Sequence, residues 1–113
     1  MAVSACGGSS GDASPSPILP AATITISSTG ASPRNVVVSP GSQVLFVNLD
    51  SRAHQMFSDP HPEHTDCQEF DQVGALAPGQ SRRTGNLNTL RVCAFHDHIN
   101  FETQSLRGTV TIR

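Results

Sequence analysis

From Ala21 onward the chain runs in short stretches of β-branched and apolar residues, each cut off by Pro, Gly, Ser or Asn before a helical repeat can establish itself. No other feature constrains the fold as strongly, because apolar stretches of about four to eight residues between turn residues read as strands. Thr23-Ile24-Thr25-Ile26-Ser27 alternates polar and apolar, and Asn35-Val36-Val37-Val38-Ser39 follows. Ser39-Pro40-Gly41-Ser42 is a turn into Gln43-Val44-Leu45-Phe46-Val47-Asn48. A second turn, Leu76-Ala77-Pro78-Gly79-Gln80-Ser81, leads to strands over 81–85, 89–95 and 108–113. About six or seven strands at this spacing predict an all-β sandwich. With neither Trp nor Tyr in the chain, Leu, the β-branched residues and five Phe (46, 57, 70, 95 and 101) must fill its core.

Two segments do not fit the strand texture. Residues 1–20 are mostly Gly, Ser, Ala and Pro with one charge, Asp12, and are read as a flexible tether ahead of a single domain over 21–113. Residues 50–74 hold Pro60, Pro62 and three His, and read as a long irregular loop after the third or fourth strand, with a short helix near 69–73. A loop of that length in a small domain is usually functional or disordered. A net charge of -2 leaves no basic footprint for nucleic acid, and no apolar stretch is long enough to cross a membrane as a helix.

The chemistry is concentrated. All five His and two of the three Cys fall between positions 54 and 98: His54, His61, His64, Cys67, Cys93, His96 and His98. Imidazole with thiolate suits Cu, Zn or Fe, and two His with one Cys in a trigonal set is the blue-copper arrangement for electron transfer. Cys93-Ala94-Phe95-His96 ends a predicted strand and opens a loop that returns at Gly108-Thr109-Val110.

Four segments resemble the cupredoxin family of small plastocyanin-like copper proteins. They are Val36 to Phe46 with Pro40-Gly41; Asn48-Leu49-Asp50 followed by His54; Ala77-Pro78-Gly79-Gln80-Ser81; and Cys93-x-x-His96 with Gly108-Thr109-Val110. The resemblance implies a Greek-key β-sandwich binding copper as Cu(I) and Cu(II) through His54, Cys93 and either His96 or His98. No Met stands where the weak axial ligand is expected, since Leu106 precedes Gly108 by two residues. Gln104 falls near the position of a stellacyanin-type axial Gln, and Glu102 and Met56 are further axial candidates. Cys67 lies near the place where phytocyanins carry a disulfide Cys. Here it has three readings: a bystander to a single-Cys site, a disulfide partner of Cys93, or a second thiolate.

His61 and His64 are read either as additional ligands or as surface residues of a solvated loop, and Asp97 either as an acceptor orienting one ring or as a solvated acid. Val3-Ser4-Ala5-Cys6 resembles a bacterial lipobox, which implies lipidation of Cys6 and a periplasmic or otherwise extracytoplasmic protein held at a membrane only by that anchor; an incidental tail Cys is the alternative. The resemblance points to a monomeric, non-enzymatic electron carrier docking with redox partner proteins through an apolar frame including Ala53, Ala75, Phe95 and Phe101. Capture and delivery of copper to handling proteins, with a His-rich site and a Cys67–Cys93 disulfide, is the alternative.

Overall fold

The computed structural model describes residues 19–113, so the lipidation expected at Cys6 and nearly all of the expected tether lie outside the described residues. Nine strands are present among them: β1 (Ala22–Ser27), β2 (Gly30–Ser32), β3 (Asn35–Val38), β4 (Val44–Asn48), β5 (His54–Ser58), β6 (Gly74–Leu76), β7 (Ser81–Arg83), β8 (Arg91–Asp97) and β9 (Gly108–Ile112). Single 3-10 turns at Phe70–Gln72 and Gln104–Leu106 are the helical elements. The strands form two mixed sheets, one ordered β3-β9-β8-β5-β6 and the other β2-β1-β4-β7. Parallel pairing joins β9 to β3 and β1 to β4, and the other pairs are antiparallel. The all-β sandwich expected from the sequence is therefore the observed fold.

Alternation explains which residues fill it. In β1, Ile24 and Ile26 turn inward while Thr23 and Thr25 do not, and in β4 Val44, Phe46 and Asn48 do the same. Phe46 from one sheet meets Phe95 of the other and Phe70 of the first 3-10 turn, with ring centroids 5.0–5.3 Å apart. Edge-to-face contacts of this kind add to burial of about 1.5–3 kcal/mol per ring. At the start of β9, Gly108 lies so close to the Arg34 carbonyl that a Cβ would overlap it, which fixes glycine where β9 joins β3.

Two details differ from the sequence reading. The stretch 50–74 is not irregular throughout, because β5 occupies His54–Ser58 within it, paired with both β6 and β8. The stretch opens after the fourth described strand, as expected, and its irregular crossing begins at Asp59 once β5 has ended. In addition β8 runs to Asp97, two residues beyond the expected end at 95, which places His96 in a strand rather than a loop.

Candidate metal centre

The pleat of the five-stranded sheet sorts the candidate ligands onto opposite faces. Along β5, His54, Met56 and Ser58 are buried against the core while Gln55 and Phe57 face outward. In β8, Cys93, Phe95 and Asp97 continue the inward set, leaving Ala94 and His96 on the outer face. His96 pairs across the ladder with Phe57, and Asp97 pairs with Met56. Cys93 and His96, three residues apart in one strand, therefore point to opposite sides. His96 and His98, two apart, share the outer side.

On the inner face, the residues expected to ligate are otherwise engaged. Cys93 forms a disulfide with Cys67, both sulfurs being fully buried, so in this state neither offers a thiolate. His54 is fully buried between two carboxylates: Nε2 is 2.8 Å from Asp50 Oδ2 and Nδ1 is 2.6 Å from Asp97 Oδ2. Carboxylates accept, so this pair of bonds is complete when both ring nitrogens donate. The bond from His54 is the main reason the Asp50 carboxyl lies below its ordinary value. Burial pushes Asp97 up, but bonds from Asn100, His54 and the amides of Gln55 and Ile99 together outweigh it and leave it lowered as well.

On the outer face, four imidazoles converge. His61, His64, His96 and His98 each offer a ring nitrogen, and the four atoms lie within 4.8 Å of one another. His64 Nε2 is 3.2 Å from His96 Nε2 and 3.2 Å from His98 Nδ1. Metal–nitrogen bonds of about 2.0 Å in a tetrahedron place nitrogens about 3.3 Å apart, so these spacings fit a metal ion. His61 Nδ1 is buried with no hydrogen-bond partner, the condition of an atom left for a ligand.

The surrounding chain holds this set in place. The His98 amide donates to the Gln55 carbonyl (2.7 Å), which fixes it just beyond β8. The crossing loop folds back through His64 N to Pro60 O (2.7 Å) and Asp66 N to Asp59 O (3.0 Å). His64 takes a left-handed conformation, φ 58°, unusual for a residue with a side chain, and stacks on Phe57 at 4.6 Å. His61 stacks on Phe101 at 4.0 Å. Desolvation, followed by the neighbouring imidazoles, holds both His61 and His64 below the usual histidine value, so both favour the neutral form that binds metal.

The other candidates lie elsewhere. Met56 and Leu106 are in the core, and Glu102 is exposed. The Gln104 carbonyl accepts from Arg34, and its residue lines an open groove of about 370 Å³ beside Asp59 and Arg107. Phe95, expected at an exposed docking frame, is fully buried because it shares the inward side with Cys93. Asp59, weighed from the sequence only among the acids around His61 and His64, stands beside His96. An acidic residue next to a His-bearing loop was the available signal.

Solved structures resemble this arrangement of strands. A purple cupredoxin from Nitrosopumilus maritimus aligns with TM-score 0.66 at 21% identity over 81% of this chain and 99% of its own. The oxidised plastocyanin of Dryopteris crassirhizoma gives 0.61 at 17%, over 80% and 99%. An amicyanin variant described in its Cu(I) form gives 0.61 at 14%, over 82% of each chain. The chain has the cupredoxin fold. No protein-family model matches it, and no curated protein matches at a significant level. Within that fold, four imidazoles converge on the outer face of one sheet, with a disulfide on the other side of that sheet.

Proposed function

We propose that the chain binds copper through His61, His64, His96 and His98 and serves to capture the ion and hand it on. The observation that carries this reading is the convergence of four ring nitrogens within 4.8 Å, while the Cys93 sulfur is committed to a disulfide. Imidazole sets suit Cu, Zn, Fe and Ni, and Cu(II) binds most tightly among divalent first-row ions at a given nitrogen site. The cupredoxin fold, shared with an amicyanin variant described with Cu(I), supports copper in particular.

The residues divide the work. His96 and His98 come from a rigid strand end and its first loop residue, and form the fixed half of the site. His61 and His64 ride on the crossing loop and close over them. His61, half-buried and stacked against Phe101 at the rim, is placed to take or release the ion first. Copper, when bound, supplies a centre with two accessible charge states. A disulfide forms in oxidising compartments, which supports a periplasmic or otherwise extracytoplasmic location. No helix among the described residues is long and apolar enough to cross a membrane. Attachment through a lipidated Cys6 and action as a monomer belong to the same proposal.

Electron transfer is the second reading, favoured by the likeness to plastocyanin and amicyanin, with redox proteins as partners in place of copper-handling ones. Loading with one equivalent of Cu(II), followed by chelator challenge and voltammetry, separates the two. A copper-handling protein yields its ion to a moderate chelator and shows no reversible couple. A protein that retains copper and cycles reversibly is the electron carrier, and one that binds no copper refutes both readings.

A further inference from the structure

Glu63 and Asp71 act on His61 and His64 only through space, but one imidazole of the set is hydrogen-bonded directly to a charge. Among the described residues His96 is the member of the set hydrogen-bonded to a carboxylate, with Nδ1 2.6 Å from Asp59 Oδ1. The other carboxylate oxygen, Oδ2, lies 3.4 Å from Arg107 Nη2. We propose that Asp59 is a positioning residue that acts through His96 to fix its tautomer and bias the site toward the more highly charged copper ion, with Arg107 opposing that bias. The inference rests on the copper reading above and extends it to how the site is tuned.

Geometry dictates the tautomer. An ionised carboxylate only accepts, so His96 Nδ1 carries a proton, and in the neutral ring that binds metal Nε2 is left with its lone pair. That Nε2 is the atom facing His64 Nε2 at 3.2 Å, inside the cluster. The placement of Asp59 is not a chance surface approach. Its amide donates to the Ala94 carbonyl (3.0 Å) and continues the β5–β8 ladder by one residue, so its side chain falls on the same outer face as His96. The Asp59 carbonyl accepts from the Asp66 amide (3.0 Å), tying the residue to the loop that carries His61 and His64. Its side chain is 18% exposed and that of Arg107 is 40%, so the carboxylate is largely shielded while the guanidinium remains half in water.

Charge gives the direction. A carboxylate hydrogen-bonded to a ligating imidazole increases the electron density of the ring and strengthens it as a donor. Four neutral imidazoles supply no compensating charge, so the nearby anion stabilises Cu(II) more than Cu(I). Arg107 draws on the same carboxylate from its far side and weakens that effect. Removing the anion and removing the cation should therefore move the balance between the two copper states in opposite directions. A merely structural role would lower both affinities together in both variants.

The test uses the full chain in two stages. Nitrogen-15 NMR of the metal-free protein reads the His96 tautomer, and chelator competition measures Cu(I) and Cu(II) affinities of the parent, Asp59→Asn and Arg107→Gln. The parent is expected to show the Nδ1–H form. Asp59→Asn should lose about 10- to 100-fold in Cu(II) affinity and distinctly less in Cu(I) affinity. Arg107→Gln should shift the ratio toward Cu(II). A copper-binding parent with an Nε2–H His96, or variants that lower both affinities equally, overturns the positioning role. A parent that binds neither ion overturns the copper reading and the bias with it.

Discussion

Asp97 is fully buried, and its Oδ2 is 2.6 Å from His54 Nδ1 and 3.0 Å from Asn100 Nδ2. Removing the imidazole leaves this carboxylate without a principal partner, and breaking a buried pair in that way costs about 3–5 kcal/mol. His54→Ala should lower the urea midpoint accordingly while leaving the four-imidazole site intact, as judged by copper stoichiometry. Acid should act on the protein in two stages. His61 and His64 are held below 6.5, so the stability they contribute is complete above that value and is lost as pH falls through their lowered folded values. Asp50 and Asp97 are held below 3.8, and their contribution is present above that value and lost in stronger acid. Urea midpoints of the metal-free protein should therefore be flat above about pH 7 and decline below it. Rising stability between neutral and mildly acidic pH would contradict the cluster. His96 and His98 were read from the sequence as ligands, and His61 and His64 either as additional ligands or as surface residues of the loop, but the pairing of His54 with Asp50 and Asp97 was not legible. It depends on the ends of two strands, His54 and Asp97, separated by 43 residues and meeting in the core.

Strand β8 and the crossing loop decide which residues reach the site. Reading β8 as ending at 95 leaves His96 free to turn toward Cys93, and the extra two residues of strand remove that freedom. The deciding information was present as parity: Ala94, His96 and His98 step by two, and so do Cys93, Phe95 and Asp97. What the sequence lacked was the strand's last turn of pairing, which is set by β5 across the ladder. The disulfide links the loop to this strand across 26 residues, and closing a loop of that length contributes about 3.5 kcal/mol in the chain-entropy account. Cys67→Ser should thus destabilise the protein by a similar amount in chemical unfolding. It should not create an intense visible thiolate band with Cu(II), because Cys93 faces the core while the four imidazoles lie on the other side of the sheet. Appearance of such a band would show that β8 can turn Cys93 outward.

Across the whole molecule, two sheets meet over a core in which Phe46 is the central ring, touching both Phe70 and Phe95. Phe46→Ala should cost about 3–5 kcal/mol, read from urea unfolding, since little around it can collapse into the space. This level was the most legible from sequence, because alternation in Thr23 to Ser27 and 43 to 48 and the turns at Pro40-Gly41 and Pro78-Gly79 define sheets without reference to any site. The position of the four imidazoles was less legible because two of them sit on a loop whose path depends on bonds that Ser58, Asp59 and Ala94 accept. In the proposed site four imidazoles, and no thiolate, hold the ion. Pulsed EPR of the protein with one equivalent of Cu(II), recorded beside its absorption spectrum, tests it most directly. Several equatorial imidazoles, reduced in number by His61→Ala with His64→Ala and unaccompanied by an intense visible band, are the expected result. A strong thiolate-to-copper band, or an imidazole count unchanged in that double variant, would contradict it.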